Sequence, residues 1–212
     1  MKDYKILFKF ATRSRPELFK RGLKSINDNC ISDNYTVLVS ADIDDLTMQN
    51  IGSCKNCVLV FSRSESKIHA INRDMELIPD WDIVINMSDD MTFIHHGFDN
   101  IIRESFDSLD QCLHFPDGNR NDLITLSILG RQFYEKFNYI YNPEYKSLYC
   151  DNEQTEVAQT LGLYKFIDNQ IFEHLHPAYG KSNFDIQYQR TESFNEVDKQ
   201  TYLRRKGINF GL

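Results

Sequence analysis

The sequence predicts an α/β fold: one domain on a mostly parallel, Rossmann-like central sheet. Three observations predict it. Over the first ninety residues the apolar segments run strand–helix–strand–strand–helix–strand, the alternation that builds a parallel sheet flanked by helices. Trp81 to Met87 is apolar on both faces, as a central strand covered on both sides must be. The 212 residues contain no internal repeat, low-complexity tract or linker rich in Pro, Gly or Ser. That length suffices for one such core and is short for two.

Each element has its own signal. Lys5 to Phe10 alternates and reads as a strand. Pro16 suits a first helical position, and Leu18, Phe19, Leu23 and Ile26 follow at helical spacing. Tyr35 to Val39 and Cys57 to Phe61 read as strands two and three. Ile68, Ile71, Met75 and Ile78 make one amphipathic helix stopping before Pro79. Trp81 to Met87 is the fourth strand. Beyond it, Phe98 to Phe106, Arg131 to Phe137 and Glu153 to Leu161 read as helices, Asp117-Gly118-Asn119 as a turn, and Leu123 to Leu129 as a strand. Tyr164 to Phe172 reads as a strand leading to His174 and His176, and Val197 to Lys206 as a last helix closed by Gly207.

Composition excludes some classes. A formal charge of −7 lacks the basic face that a duplex nucleic-acid binder needs. No apolar run approaches the roughly 18 residues of a membrane span, and the charged start Met1-Lys2-Asp3-Tyr4 is unlike a signal peptide. A cytoplasmic protein is expected. Five cysteines, Cys30, Cys54, Cys57, Cys112 and Cys150, then read as reduced thiols. Cys54 and Cys57 form a single CxxC, too few ligands for structural zinc, and read as a turn.

Four places carry chemistry. Ser88-Asp89-Asp90 follows the fourth strand. Two adjacent acids there either hold a divalent ion through hard oxygen ligands or sit in a solvated turn. His174 and His176 share a side on an extended segment and could supply nitrogen to the same ion. Thr12-Arg13-Ser14-Arg15-Pro16 opens the first helix, where such sheets meet nucleotides. Arg13 or Arg15 could reach a base or phosphate, and Asp42 a base or ribose. No GxGxxG or P-loop pattern is present, so a dinucleotide site is not expected. Asp151, in Cys150-Asp151-Asn152-Glu153, is either a helix N-cap or a general base held at a cleft.

Together these signals resemble the GT-A glycosyltransferases, and among them the family 2-like enzymes. The resemblance spans nearly the whole chain. Thr12-Arg13-Ser14-Arg15-Pro16 looks like that family's T-R-x-R-P opening, and Asp42 like its nucleotide-contacting acid. Lys67 to Met75, with Asn72 and Arg73, looks like its helix before the fourth strand. Ser88-Asp89-Asp90 looks like its DxD motif with the first acid replaced, which puts the weight on Asp90. Asp151 falls on the acceptor-base position of its E-D-x-D motif, and His174 or His176 on its late metal-binding histidine.

The resemblance implies a single GT-A domain over 1–212, with a nucleotide-binding half at 1–95 and an acceptor-binding half at 96–212. It implies a UDP- or GDP-sugar donor contacted by Thr12, Arg13, Arg15, Asp42, Asn72, Arg73, Asp89 and Lys181, the last closing over the diphosphate. Mn2+ or Mg2+ would sit on Asp90 with His174 or His176. Asp151 would activate a saccharide or other hydroxyl acceptor for an inverting displacement. Two rivals stand beside this reading: a nucleotidyltransferase on a similar sheet, which usually carries a glycine-rich phosphate loop, and a non-catalytic sugar- or protein-binding module derived from the fold. No glycine lies between Met1 and Arg21.

Overall fold

A computed structural model describes residues 2–52 and 54–212. In chain order the elements are β1 (Ile6–Thr12), α1 (Pro16–Asn29), β2 (Tyr35–Asp42), α2 (Leu46–Gln49), β3 (Cys57–Ser62), α3 (Lys67–Asn72), β4 (Ile83–Met87), β5 (Met91–Phe93), α4 (Phe98–Ser105), β6 (Cys112–His114), β7 (Ser127–Gly130), α5 (Arg131–Phe137), α6 (Cys150–Thr160), β8 (Tyr164–Phe166), β9 (Phe172–His174), α7 (Ile186–Glu192) and α8 (Asn195–Gly207).

The main sheet runs β3-β2-β1-β4-β7-β6-β8. Strands β3, β2, β1 and β4 run parallel to one another, as expected. Then β7 runs antiparallel to both β4 and β6, so the sheet is mixed. Its two faces bury separate apolar clusters. Phe8, Phe10, Ile83, Ile85 and Met87 pack with α1 and α4 on one side, and Leu7, Leu38 and Val84 with α3 and Tyr141 on the other. The period-2 pattern of the strands is what splits the core in this way.

Several expectations are corrected. The amphipathic run after Ser66 is two pieces: α3 ends at Asn72, and Asp74 adopts a left-handed φ of 68° before a 3-10 turn at Met75–Leu77. The strand read over Tyr164 to Phe172 divides into β8, at the edge of the main sheet, and β9, which pairs with β5 in a separate two-stranded sheet. Gly207 lies inside α8, with Ile208 following it as the C-cap. Cys54 and Cys57 are joined as a disulfide rather than free thiols, while Cys30, Cys112 and Cys150 remain free. Among the described residues no helix is long and apolar enough to cross a membrane.

Candidate active site

Two adjoining cavities open at the carboxyl ends of β1, β2 and β4. The outer one, about 700 Å³, is lined by Thr12, Arg13, Arg15, Asp42 and Asp89. The inner one, about 830 Å³, is lined by Asp90, Asp151, His174 and His176. Arg15, Lys67, Ser88, Ser147 and Thr191 border both, so the two form one continuous cleft.

Asp90 and His174 are distant in sequence and meet because β5 pairs with β9. The register sets Met91 opposite His174, and Leu175 N donates to the Asp90 carbonyl oxygen at 2.7 Å. His174 Nε2 then lies 3.4 Å from Asp90 Oδ2, and its Nδ1 3.4 Å from Asp117 Oδ2. Asp117 is held in turn. Its Oδ1 accepts from Asn119 N and Arg120 N at 2.8 Å each, across a bend where Gly118 takes a left-handed φ of 81°. That bend needs glycine because a Cβ is disfavoured there.

Electrostatics separates the two acids of the pair. Burial raises the Asp89 carboxyl to about 7, against weaker opposing effects of Thr12 and Arg15. Burial acts in the same direction on Asp90, but hydrogen bonds from His174 and Tyr188 outweigh it and hold that carboxyl well below its usual range. Burial lowers the His174 imidazole, and the two flanking carboxylates, Asp117 and Asp90, overcome this and raise it to about 9. The result is an imidazolium between two carboxylates. Burial also raises the Asp151 carboxyl.

A second layer comes from α7. Its N-cap Asp185 accepts from Gln187 N and Tyr188 N at 3.0 Å, and also receives Arg15 Nε at 2.8 Å. The Arg15 guanidinium stacks 4.2 Å over the Tyr188 ring, and the Tyr188 hydroxyl donates to Asp90 Oδ2 at 2.6 Å. This helix thus covers the cleft and touches both Arg15 and Asp90.

Not every expected residue reaches the cleft. Asn72 clamps the backbone at 140–141, its Oδ1 accepting from Ile140 N at 3.0 Å and its Nδ2 donating to Tyr141 O at 2.6 Å. Arg73 ties Ala41 O, Ser64 Oγ and Asp74 together. Neither lines the outer or the inner cavity. Lys181 pairs with Glu173 at 2.8 Å and also lies outside both cavities. Arg13 faces the outer cavity but is engaged by Asp42 and, through two bonds, by Asp44. Asp151 is not the N-cap of α6: Tyr149 holds that position, in the left-handed region, and Asp151 sits within the first turn. His176 caps the next 3-10 turn, its Nδ1 accepting from Ala178 N at 3.2 Å.

Lys67, Tyr188, Asp117 and Asn86 were not singled out from the sequence. Lys67 offered one signal. It is a cation in the first turn of α3, where the helix dipole favours acids, and such a misfit marks a residue placed for something else.

Divalent-metal chemistry can be tested against these side chains. Asp89 Oδ1 and Asp90 Oδ1 are buried without a hydrogen-bond partner among the described residues. Together with an imidazole they form the hard oxygen and nitrogen donor set that Mn2+ and Mg2+ accept. Yet among the described residues no group of three or more His, Cys, Asp and Glu is arranged to hold an ion. Of the two histidines expected as alternatives beside Asp90, His174 is the one that lies 3.4 Å from it, while His176 caps the next 3-10 turn. Phosphate oxygens of a substrate would have to complete the sphere, as they commonly do for Mg2+. An imidazolium does not ligate a metal, so loading such a site requires His174 to release its proton.

Comparison with known proteins bears on the fold. No protein-family model and no curated protein matches the sequence. Among solved structures, the chain is similar to the mannosyltransferase PcManGT from Pyrobaculum calidifontis in complex with GDP-Man and Mn2+, at 13% identity and TM-score 0.59, covering 79% of this chain and 55% of that one. It is similar to S. aureus TarS 1-349, at 14% identity and TM-score 0.64, covering 80% and 60%. It is also similar to a cytidylyltransferase from Leptospira borgpetersenii, at 13% identity and TM-score 0.56, covering 81% and 78%. The fold is GT-A. The chain spans 55% of the mannosyltransferase and 60% of the TarS fragment.

Proposed function

We propose that this chain is a glycosyltransferase that moves a sugar from a UDP- or GDP-linked donor to a saccharide or other hydroxyl acceptor, with inversion. The observation that carries the reading is the single cleft in which Arg15 and Lys67 border both cavities while Asp90, His174 and Asp151 line the inner one. A cationic rim beside a carboxylate that can take a proton is what sugar transfer from a diphosphate needs.

In this account residues 1–95 hold the nucleotide and 96–212 the acceptor. Thr12 and Asp42 face the base and ribose, and Arg15 and Lys67 face the diphosphate. Asp151 accepts the acceptor's hydroxyl proton as that oxygen bonds to the anomeric carbon. The bond from that carbon to the diphosphate oxygen breaks, and the nucleoside diphosphate leaves with the electron pair. Asp90 and His174 would hold Mn2+ or Mg2+, which supplies positive charge against the leaving diphosphate. The similar mannosyltransferase structure contains GDP-Man and Mn2+, and a TarS structure contains UDP. Both support the substrate class.

The cytidylyltransferase likeness favours a second reading, nucleotidyl transfer. Against it, the β1–α1 loop is Arg13-Ser14-Arg15 and holds no glycine, the residue that lets a loop backbone approach phosphates closely.

Calorimetry tests the cation linkage. UDP or GDP should bind roughly tenfold or more tightly with Mn2+ than with EDTA, and Asp90→Ala should remove that difference. Equal nucleotide affinity under both conditions would contradict the cation's part in the account.

A further inference from the structure

A third cavity lies against the helix turn that carries Asp151. It holds about 310 Å³ between α5 and α6, at the small end of the range that takes ligands. Cys150, Gln154 and Val157 recur at four and three along α6 and so present one face to it. Phe133 and Phe137 from α5, with Tyr139 and Tyr141 from the loop after it, supply an aromatic wall. The Phe137 ring stacks on Tyr139 at 5.6 Å. Tyr141 and Cys150 also line the inner cavity, so the two cavities share that wall.

One polar group in this lining is unsatisfied. Gln154 is 7% exposed, and its Nε2 donates to Ile140 O at 2.7 Å. Its Oε1 is buried and has no hydrogen-bond partner among the described residues. An amide oxygen left in that state carries a desolvation cost. The ionisable neighbours add no free charge. Glu153 is held by Arg205 through two bonds, of 2.7 and 2.9 Å, and by the Tyr145 hydroxyl at 2.8 Å. Burial raises the Cys150 thiol and the Tyr139 and Tyr141 hydroxyls, so all three keep their protons. A matching ligand is therefore neutral, flat enough to lie against aromatic rings, and brings one donor for Gln154 Oε1. We propose that this cavity is a second binding site, for a small neutral aromatic molecule bearing one N–H or O–H donor. It is separate from the nucleotide and from the acceptor of the proposed reaction.

The test needs no nucleotide and no metal. An NMR titration of the full chain compares indole with benzofuran, which has nearly the same outline and no donor. Indole should bind, and benzofuran roughly tenfold more weakly. Gln154→Met, similar in size and without the amide oxygen, should bring indole down to the benzofuran level and leave benzofuran unchanged. Val157→Phe, which fills the cavity, should abolish binding of both. Absence of indole binding at millimolar concentration overturns the inference, as does equal affinity of the wild type for the two molecules. So does a Gln154→Met protein of near-normal melting temperature that holds indole as the wild type does, or loses both molecules equally. A folded Val157→Phe protein that still binds indole places the molecule elsewhere and overturns it too. If one variant fails to fold, the wild-type comparison and the other variant decide.

Discussion

Single residues carry the sharpest commitments. Asp151 is the one with the most chemistry assigned. Because it is not the cap of α6, Asp151→Asn keeps the shape and should leave nucleotide affinity and melting temperature near normal. Transfer to acceptor should fall roughly a hundredfold to ten-thousandfold. Near-normal turnover in that variant would leave the displacement without its base. Lys9 makes a separate prediction. It is fully buried on β1, donates to Ser40 Oγ, and burial, only partly opposed by Asp74, lowers its ammonium to about 7. The unfolded chain keeps that proton up to the ordinary value of 10.5. Between those limits unfolding takes up a proton, so this residue makes stability rise with pH, by at most about 1.4 kcal/mol per unit. Below pH 7 both states are protonated and the slope vanishes. Denaturant melts from pH 7 to 10 should show this slope in the wild type relative to Lys9→Met; identical slopes would contradict it. At this scale the sequence was partly legible. Asp90, His174 and Asp151 carry side chains whose type alone suggests chemistry. Asn72 and Arg73 bear equally suggestive groups, yet they satisfy backbone around residues 140 and 41, and nothing in their spacing reveals that.

Among elements, α7 and α8 do most to set the site. Asp198 on α8 is fully buried, and its carboxylate accepts from Lys146 N, Ser147 N and Leu148 N at 2.7–2.8 Å. It thereby fixes the loop that brings Ser147 to the cleft. Asp198→Ala should cost about 3 kcal/mol, because three backbone donors lose their acceptor. That corresponds to a melting temperature lower by roughly 6–12 °C, and an unchanged value would refute the role. For α7, Asp185→Ala removes the helix cap and the Arg15 ion pair together. Tryptic cleavage at Arg190 should then accelerate relative to sites in α8, with a cap loss of about 1 kcal/mol. An unchanged cleavage ratio would show that Asp185 does not hold the helix. Long periodic elements such as α1 and the strands to β4 were readable because burial on one face imposes a period. The division of Tyr164 to Phe172 into β8 and β9 was not. Its alternation continues across the break, and the pairing of β9 with β5 is a long-range event that no local pattern records. The interruption of α3 at Asp74 was hidden for a similar reason, since Met75 stays buried in the core beyond it.

For the whole molecule, the GT-A sheet positions the chemistry through one topological feature. The parallel strands end together at the cleft, and the antiparallel β7 closes the core beside β4. The parallel half was visible in the alternation of strands and helices. The reversal at β7 was not, because an apolar strand reads alike in either direction. The central claim is that this cleft breaks the bond between a sugar's anomeric carbon and a nucleoside diphosphate. Phosphorus NMR on the protein with Mn2+ tests it most directly, using in parallel a panel of UDP- and GDP-hexoses and a mixture of nucleoside triphosphate with hexose 1-phosphate. The account predicts slow release of nucleoside diphosphate and free sugar from one of the sugar nucleotides, and no pyrophosphate from the mixture. Pyrophosphate release from the mixture, with every sugar nucleotide left intact, would contradict it.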